Sequence, residues 1–154
     1  MGIFWYNVGA KGKTLSKLSF KSFCIEFYAR HIGSTGADVY RMFSKSGLLK
    51  TLDDDYEDLH GLGWEALMPM FDEYLGRKDQ ERPVMNEDHT LIRATLVPAI
   101  VAFLAVHYHV SEGEAMEMFY RSKTAEAFAD DSLGLYGQSA LSIAADVIQE
   151  REGQ

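Results

Sequence analysis

The chain has 154 residues, enough for one ordinary domain or two small ones packed together. At 47% hydrophobic and 12% aromatic it can bury a core rather than stay disordered. Its formal charge of −8 disfavours direct binding to nucleic acid, because phosphates would be repelled, and its one cysteine, Cys24, excludes an internal disulfide.

The charge is uneven. Lys11, Lys13, Lys17 and Lys21 precede the first acidic residue, Glu26; from there on, 11 basic residues face 23 acidic ones, a net of −12. Such a surface attracts a basic partner. No basic-then-apolar leader is present, and Tyr6 stands where a myristoylation signal needs Ser or Thr. The longest apolar run, 96–108, is interrupted by Pro98 and His107 and reads as too short to cross a bilayer. The expectation is a cytoplasmic protein with no membrane partner.

Residues 3–8, Ile-Phe-Trp-Tyr-Asn-Val, are β-prone and precede Gly9 and Gly12. They predict a short strand or an apolar arm within an N-terminal segment, 1–14. A first helical unit, 15–76, begins with a helix over 15–31 that Gly33 stops. Thr35 with Asp38 opens a second helix, whose apolar stripe is Val39, Tyr40 and Phe43. Ser46-Gly47 breaks it. A short third helix from Leu48 ends in Asp53-Asp54-Asp55, and residues 64–75 form a fourth through Pro69. The charged stretch 77–90 reads as a linker. A second unit, 91–154, predicts a helix to 108 bent near Pro98. After it come a helix from Ser111 and Glu114, a short helix at 124–129, and a last helix capped by Ser139.

The two units align on themselves at an offset of 76 without a gap. Phe27, Ala29 and His31 fall on Phe103, Ala105 and His107. Met42, Phe43 and Ser46 fall on Met118, Phe119 and Ser122. Asp54, Asp55, Leu59 and Gly61 fall on Asp130, Asp131, Leu135 and Gly137. An internal repeat is a strong statement about architecture. The predicted fold is therefore all-α: two repeated units of about four helices each, packed into one body.

No catalytic or metal motif stands out. His107 and His109 are two apart and diverge on a helix, and there is no Cys/His cluster. The acidic run lacks the spacing and the Gly of a calcium loop. Gly61-Leu62-Gly63 has no buried strand before it, so it is no phosphate loop. The aromatic positions Phe27, Tyr28, Tyr40, Phe43, Phe103, Phe119 and Tyr120 lie at helical spacing and read as core. Cys24 reads as core too. No cofactor is expected.

The stretch Phe23-Cys24-Ile25-Glu26-Phe27-Tyr28, the segment Gly36 to Phe43, Gly47-Leu48-Leu49 and Tyr56-Glu57-Asp58-Leu59-His60 together resemble a small all-helical bacterial family of unknown function. Its motifs run F-C-I-E-x-Y and G-x-x-V-Y-x-x-F, and the likeness spans roughly 20–75. The resemblance implies an antitoxin-like companion of a toxin-like enzyme.

The leading expectation is a non-catalytic protein-binding module that inhibits or chaperones such an enzyme. An acidic face of Asp53, Asp54, Asp55, Glu57 and Asp58 would steer a basic partner, and Ile3, Phe4 and Trp5 would anchor it. One alternative is a ligand-binding or enzymatic pocket between the units near His31 and His107. Another is a self-assembling protein, with the N-terminal arm pairing two copies in a homodimer.

Overall fold

The computed structural model describes residues 16–77 and 89–153, and every regular element among them is helical. In the first half, α1 (Lys17–Ile32) is followed by α2 (Gly36–Ser46), α3 (Leu48–Asp54), α4 (Tyr56–Leu59) and α5 (Trp64–Tyr74). In the second half come α6 (Thr90–Tyr108), α7 (Glu112–Tyr120) and α8 (Lys123–Ala129). Two 3-10 turns, Asp131–Leu133 and Leu135–Gly137, lead into α9 (Ala140–Glu152). The all-α expectation holds. The N-terminal segment with Ile3, Phe4 and Trp5 lies outside the described residues, as does most of the charged linker.

Local chemistry sets most helix starts. Ser16, Thr35, Ser111, Ser122 and Ser139 each accept a hydrogen bond from the backbone three residues on, satisfying a donor that the first turn leaves open. Gly33 ends α1 in the left-handed region, with φ 72, and its N–H returns to the carbonyls of Ala29 and Arg30. α6 ends the same way at His109, with φ 55, among the described residues the one non-glycine at positive φ.

Helix ends in the two halves correspond. Ile32 and Tyr108 close α1 and α6; Gly36 and Glu112 open α2 and α7; Trp64 and Ala140 open α5 and α9. Each pair lies 76 residues apart. The halves differ where the acidic run lies. It does not close a single short helix but straddles α3 and α4, giving the first half five helices. The counterpart in the second half is the pair of 3-10 turns.

The core is built around α1 and α6, which pack along each other more extensively than any other pair. α1 also meets α2, α3 and α5, while α6 meets α7 and α9. Of the 16 residues of α1, 11 are buried, on every side of the helix, as expected for an element enclosed by others. Cys24 is fully buried, as are Phe20, Phe23, Ile25 and Tyr28. The expected aromatic core is present with one exception: Phe103 is 43% exposed, because its face of α6 has nothing packed on it among the described residues.

Gly36, at the start of α2, is set by a close approach. A Cβ there would collide with the Glu26 carboxylate and with Cε1 of Tyr120. At an open helical position, Gly→Ala gains up to about 1 kcal/mol of helix propensity. Here the clash outweighs it, because both neighbours are buried. Gly36→Ala should destabilise the fold by about 1–3 kcal/mol. Urea denaturation checks this, and an unchanged or raised midpoint would remove the constraint assigned to Gly36.

Candidate functional site

Four places carry the chemistry expected of a site. The first is the acidic run. Asp53 pairs with Lys21 at 3.2 Å, across from α3 to α1. Asp54 pairs with Lys50 at 2.6 Å, one turn away on α3. Asp55 sits between α3 and α4, and Glu57 and Asp58 are exposed on α4. Part of the run's charge is thus balanced by lysines. Asp55, Glu57 and Asp58 present the rest to solvent.

The second place is His31. It is buried, and its Nε2 lies 2.7 Å from Oδ2 of Asp72 on α5. The Tyr28 hydroxyl donates to the other carboxylate oxygen, also at 2.7 Å. Burial and the adjacent Asp72 together push the Tyr28 hydroxyl well above its ordinary range. A cleft of about 200 Å³ opens beside this group, lined by His31, Trp64, Glu65, Met68 and Pro69. The Arg30 guanidinium lies 5.3 Å over the Trp64 ring.

His107, the partner of His31 at the offset of 76, sits differently. It is exposed and meets Glu152 of α9 at 3.2 Å, where Tyr108 also donates to the same oxygen. Both histidines therefore share a carboxylate with a tyrosine, but one group is enclosed and the other open. The cleft beside His31 is made by α1 and α5 of its own half, and His107 is not among its lining residues.

The third place was not anticipated from sequence. Glu26, on α1, is 5% exposed. Tyr120 of α7 donates to its Oε2 at 2.6 Å, and Nε of Arg93 on α6 lies 3.7 Å from its Oε1. Arg93 also bonds Asp131, which receives the His89 ring at 3.0 Å, and His89 stacks on Tyr136. Burial raises the Glu26 carboxyl above its usual range, and the Tyr120 bond and Arg93 only partly oppose this. Asp131 is also burdened by burial, but its bonds to His89 and Arg93 prevail and hold it low. A signal existed: Glu26 and Arg93 are single charges inside apolar helical runs, and such residues are rarely buried without a partner.

The fourth place is the outer face of α6. This helix is apolar nearly all round, yet only 7 of its 19 residues are buried. Leu91, Ile92, Phe103 and Val106 are 43%, 44%, 43% and 74% exposed, and Thr95, Ala99 and Ala102 lie exposed between them. Between the buried Arg93 and His107 the helix carries no ionisable side chain. The run expected to be too short for a bilayer becomes, once the helix starts at Thr90, the one described helix long and apolar enough to cross by length and composition. Here it packs on α1, α7 and α9. No group of three or more metal-ligating side chains occurs among the described residues.

Residues 19–78 match a family model described as a protein of unknown function, DUF3791. The matched span holds α1 from its third residue through α5, and with them the motif-bearing stretch 20–75. No curated protein matches the chain. No solved structure matches it either.

Two measurements test the buried groups. Removing Asp72 strands the Tyr28 hydroxyl and the His31 ring, so Asp72→Ala should cost about 1–3 kcal/mol. Glu152→Ala, at the open counterpart, should leave the denaturation midpoint unchanged. Equal losses would contradict the difference in enclosure.

For Glu26 the sign follows from linkage. The folded chain keeps a proton at pH values where the unfolded chain, titrating near 4.5, has lost it. Native stability therefore falls as pH rises from 4.5 through the raised folded value. Glu26→Gln does not titrate. Its stability relative to the wild type should improve across that window and then level off. Denaturant titrations at stepped pH check this, and a difference that stays flat with pH would refute the raised carboxyl.

Proposed function

We propose that this chain is a non-catalytic protein-binding module, an antitoxin-like inhibitor or chaperone of a partner enzyme, and that it docks through the outer face of α6. The observation that carries the reading is the uncharged, exposed face of that helix. Exposed apolar side chains scattered singly are ordinary, but a contiguous stripe marks an interaction surface. Hydrophobic burial yields roughly 25 cal/mol per Å² of apolar area, and large side chains such as Phe103 and Ile92 supply most of it. Asp55, Glu57 and Asp58 fit a steering role, raising the encounter rate with a basic partner without supplying most of the affinity. The same reading takes the two halves as a diverged tandem repeat, supported by their matching helix ends. In it the toxin-like enzyme remains the expected partner.

The test uses the tagged full chain. Wild type should retain one stoichiometric partner from its host's lysate at high salt. Val106→Asp changes the most exposed position of the stripe, so its melting temperature should stay put while the partner is lost. An undiminished capture by Val106→Asp would displace the α6 face from this role.

A second reading rests on the enclosed His31–Asp72 pair beside a cleft. It takes the cleft as a small-ligand site. A thermal-shift screen with nucleotides and divalent metals tests it, since a ligand at 100 times its dissociation constant stabilises by about 2.7 kcal/mol. No shift with any of them would leave the pair a purely structural one.

A further inference from the structure

We propose that the junction of α2 and α7 is a binding site for the phosphoryl group of a small molecule, held by Arg41, Lys45 and Arg121. The site is separate from the α6 face and from the cleft beside His31.

The junction is fixed from inside. Tyr40 of α2 stacks on Tyr120 of α7, with ring centroids 5.3 Å apart and planes 21° from parallel. Both rings are buried, and the Tyr120 hydroxyl is tied to Glu26 in the core. The two helices therefore keep their separation, and side chains on their outer sides are positioned before any ligand arrives. There a cleft of about 240 Å³ is lined by Arg41, Ser44 and Lys45 of α2 and by Arg121 at the end of α7.

Three cations around one cleft repel each other, so the empty cleft favours an anion. Local carboxylates answer only part of that charge. Asp38 bonds Arg41, and Glu117 meets Arg121 at 3.6 Å, each from about one turn earlier in the chain. A guanidinium has five N–H donors, so each carboxylate orients its arginine and leaves donors over. Lys45 has no carboxylate within ion-pair distance among the described residues. Even with Asp38 and Glu117 counted, the group keeps a net positive charge on a chain of −8.

The number of cations selects the ligand. A carboxylate has two oxygens and cannot satisfy all three. A phosphoryl group presents three acceptor oxygens and up to two negative charges, one oxygen for each of Arg41, Lys45 and Arg121. The extent of the cluster selects size. A nucleic acid or an anionic membrane would reach past it onto the acidic remainder and be repelled. A small molecule touches the cleft alone. Lys45 also lines a second cleft of about 320 Å³, with Met42, Leu75 and Arg77, which offers an apolar floor to an organic group esterified to the phosphate.

Isothermal titration calorimetry on the full chain, at constant ionic strength, tests this with three probes: inorganic phosphate, phenyl phosphate and acetate. Phosphate should saturate one site with a dissociation constant of about 1 mM or below, and bind roughly tenfold tighter than acetate. Lys45→Gln and Arg121→Gln change exposed side chains, so the melting temperature should stay put. Each should weaken phosphate binding roughly tenfold, the loss of one charge-assisted bond. Lys50→Gln removes an exposed lysine of α3 outside the cleft and should leave binding unchanged. Phenyl phosphate binding more tightly than phosphate assigns the site to an ester that uses the second cleft, and equal binding assigns it to free phosphate. No saturable heat from either overturns the proposal. So does acetate binding as tightly as phosphate, or a Lys50→Gln loss as large as that of Lys45→Gln.

Discussion

A buried carboxylate holds the two halves of this molecule in register. Glu26 lies inside the α1–α6 core, bonded by Tyr120 from 94 positions further along the chain and faced by Arg93. Taking a carboxylate out of water is expensive, and Tyr120 and Arg93 offset only part of that cost. Sliding α6 or α7 along α1 would strand Glu26, Arg93 or both. The absent side chain of Gly36 makes the space for this contact. Apolar packing between α1 and α6 supplies bulk stability but tolerates many arrangements, whereas the Glu26 group accepts few.

Around that point three helix ends in one half fall 76 residues before helix ends in the other, but the two halves are enclosed differently. Among the described residues α1 is buried on every side although it carries Lys21, Glu26 and Arg30, whereas α6, apolar nearly all round, has one side uncovered. His31 and His107 show the same contrast. Each shares a carboxylate with a tyrosine, but Asp72 is enclosed by α1 and α5 while Glu152 lies at the open end of α9. Among the described residues the first half encloses its central helix and the second leaves one side of its own open. This asymmetry puts the functional interest on α6.

Charge is distributed to suit that division. The acidic run of α3 and α4 spends part of its charge on Lys21 and Lys50, and the remainder is solvated surface. The exposed Lys50–Asp54 pair contributes little stability, whereas the Lys21 side chain that reaches Asp53 from α1 is largely buried. The uncharged face of α6 is the complement: weak at a distance and strong once dry. Under the proposed function, the first surface would steer a partner and the second would hold it.

The sequence by itself determined the helical class and most helix starts. These are local properties: hydroxyl caps at Thr35, Ser111 and Ser139, the glycine stop at Gly33, and apolar residues at helical spacing. It also marked Cys24 and most of the aromatic residues as core. Tertiary structure alone decided the rest. The periodicity of α6 gives apolar residues on every side, and only the placement of α1, α7 and α9 leaves Phe103 and Val106 outside. Glu26 and Tyr120, or His31 and Asp72, carry no local signal of being partners, because bonds between residues 94 and 41 positions apart exist only once the helices are packed.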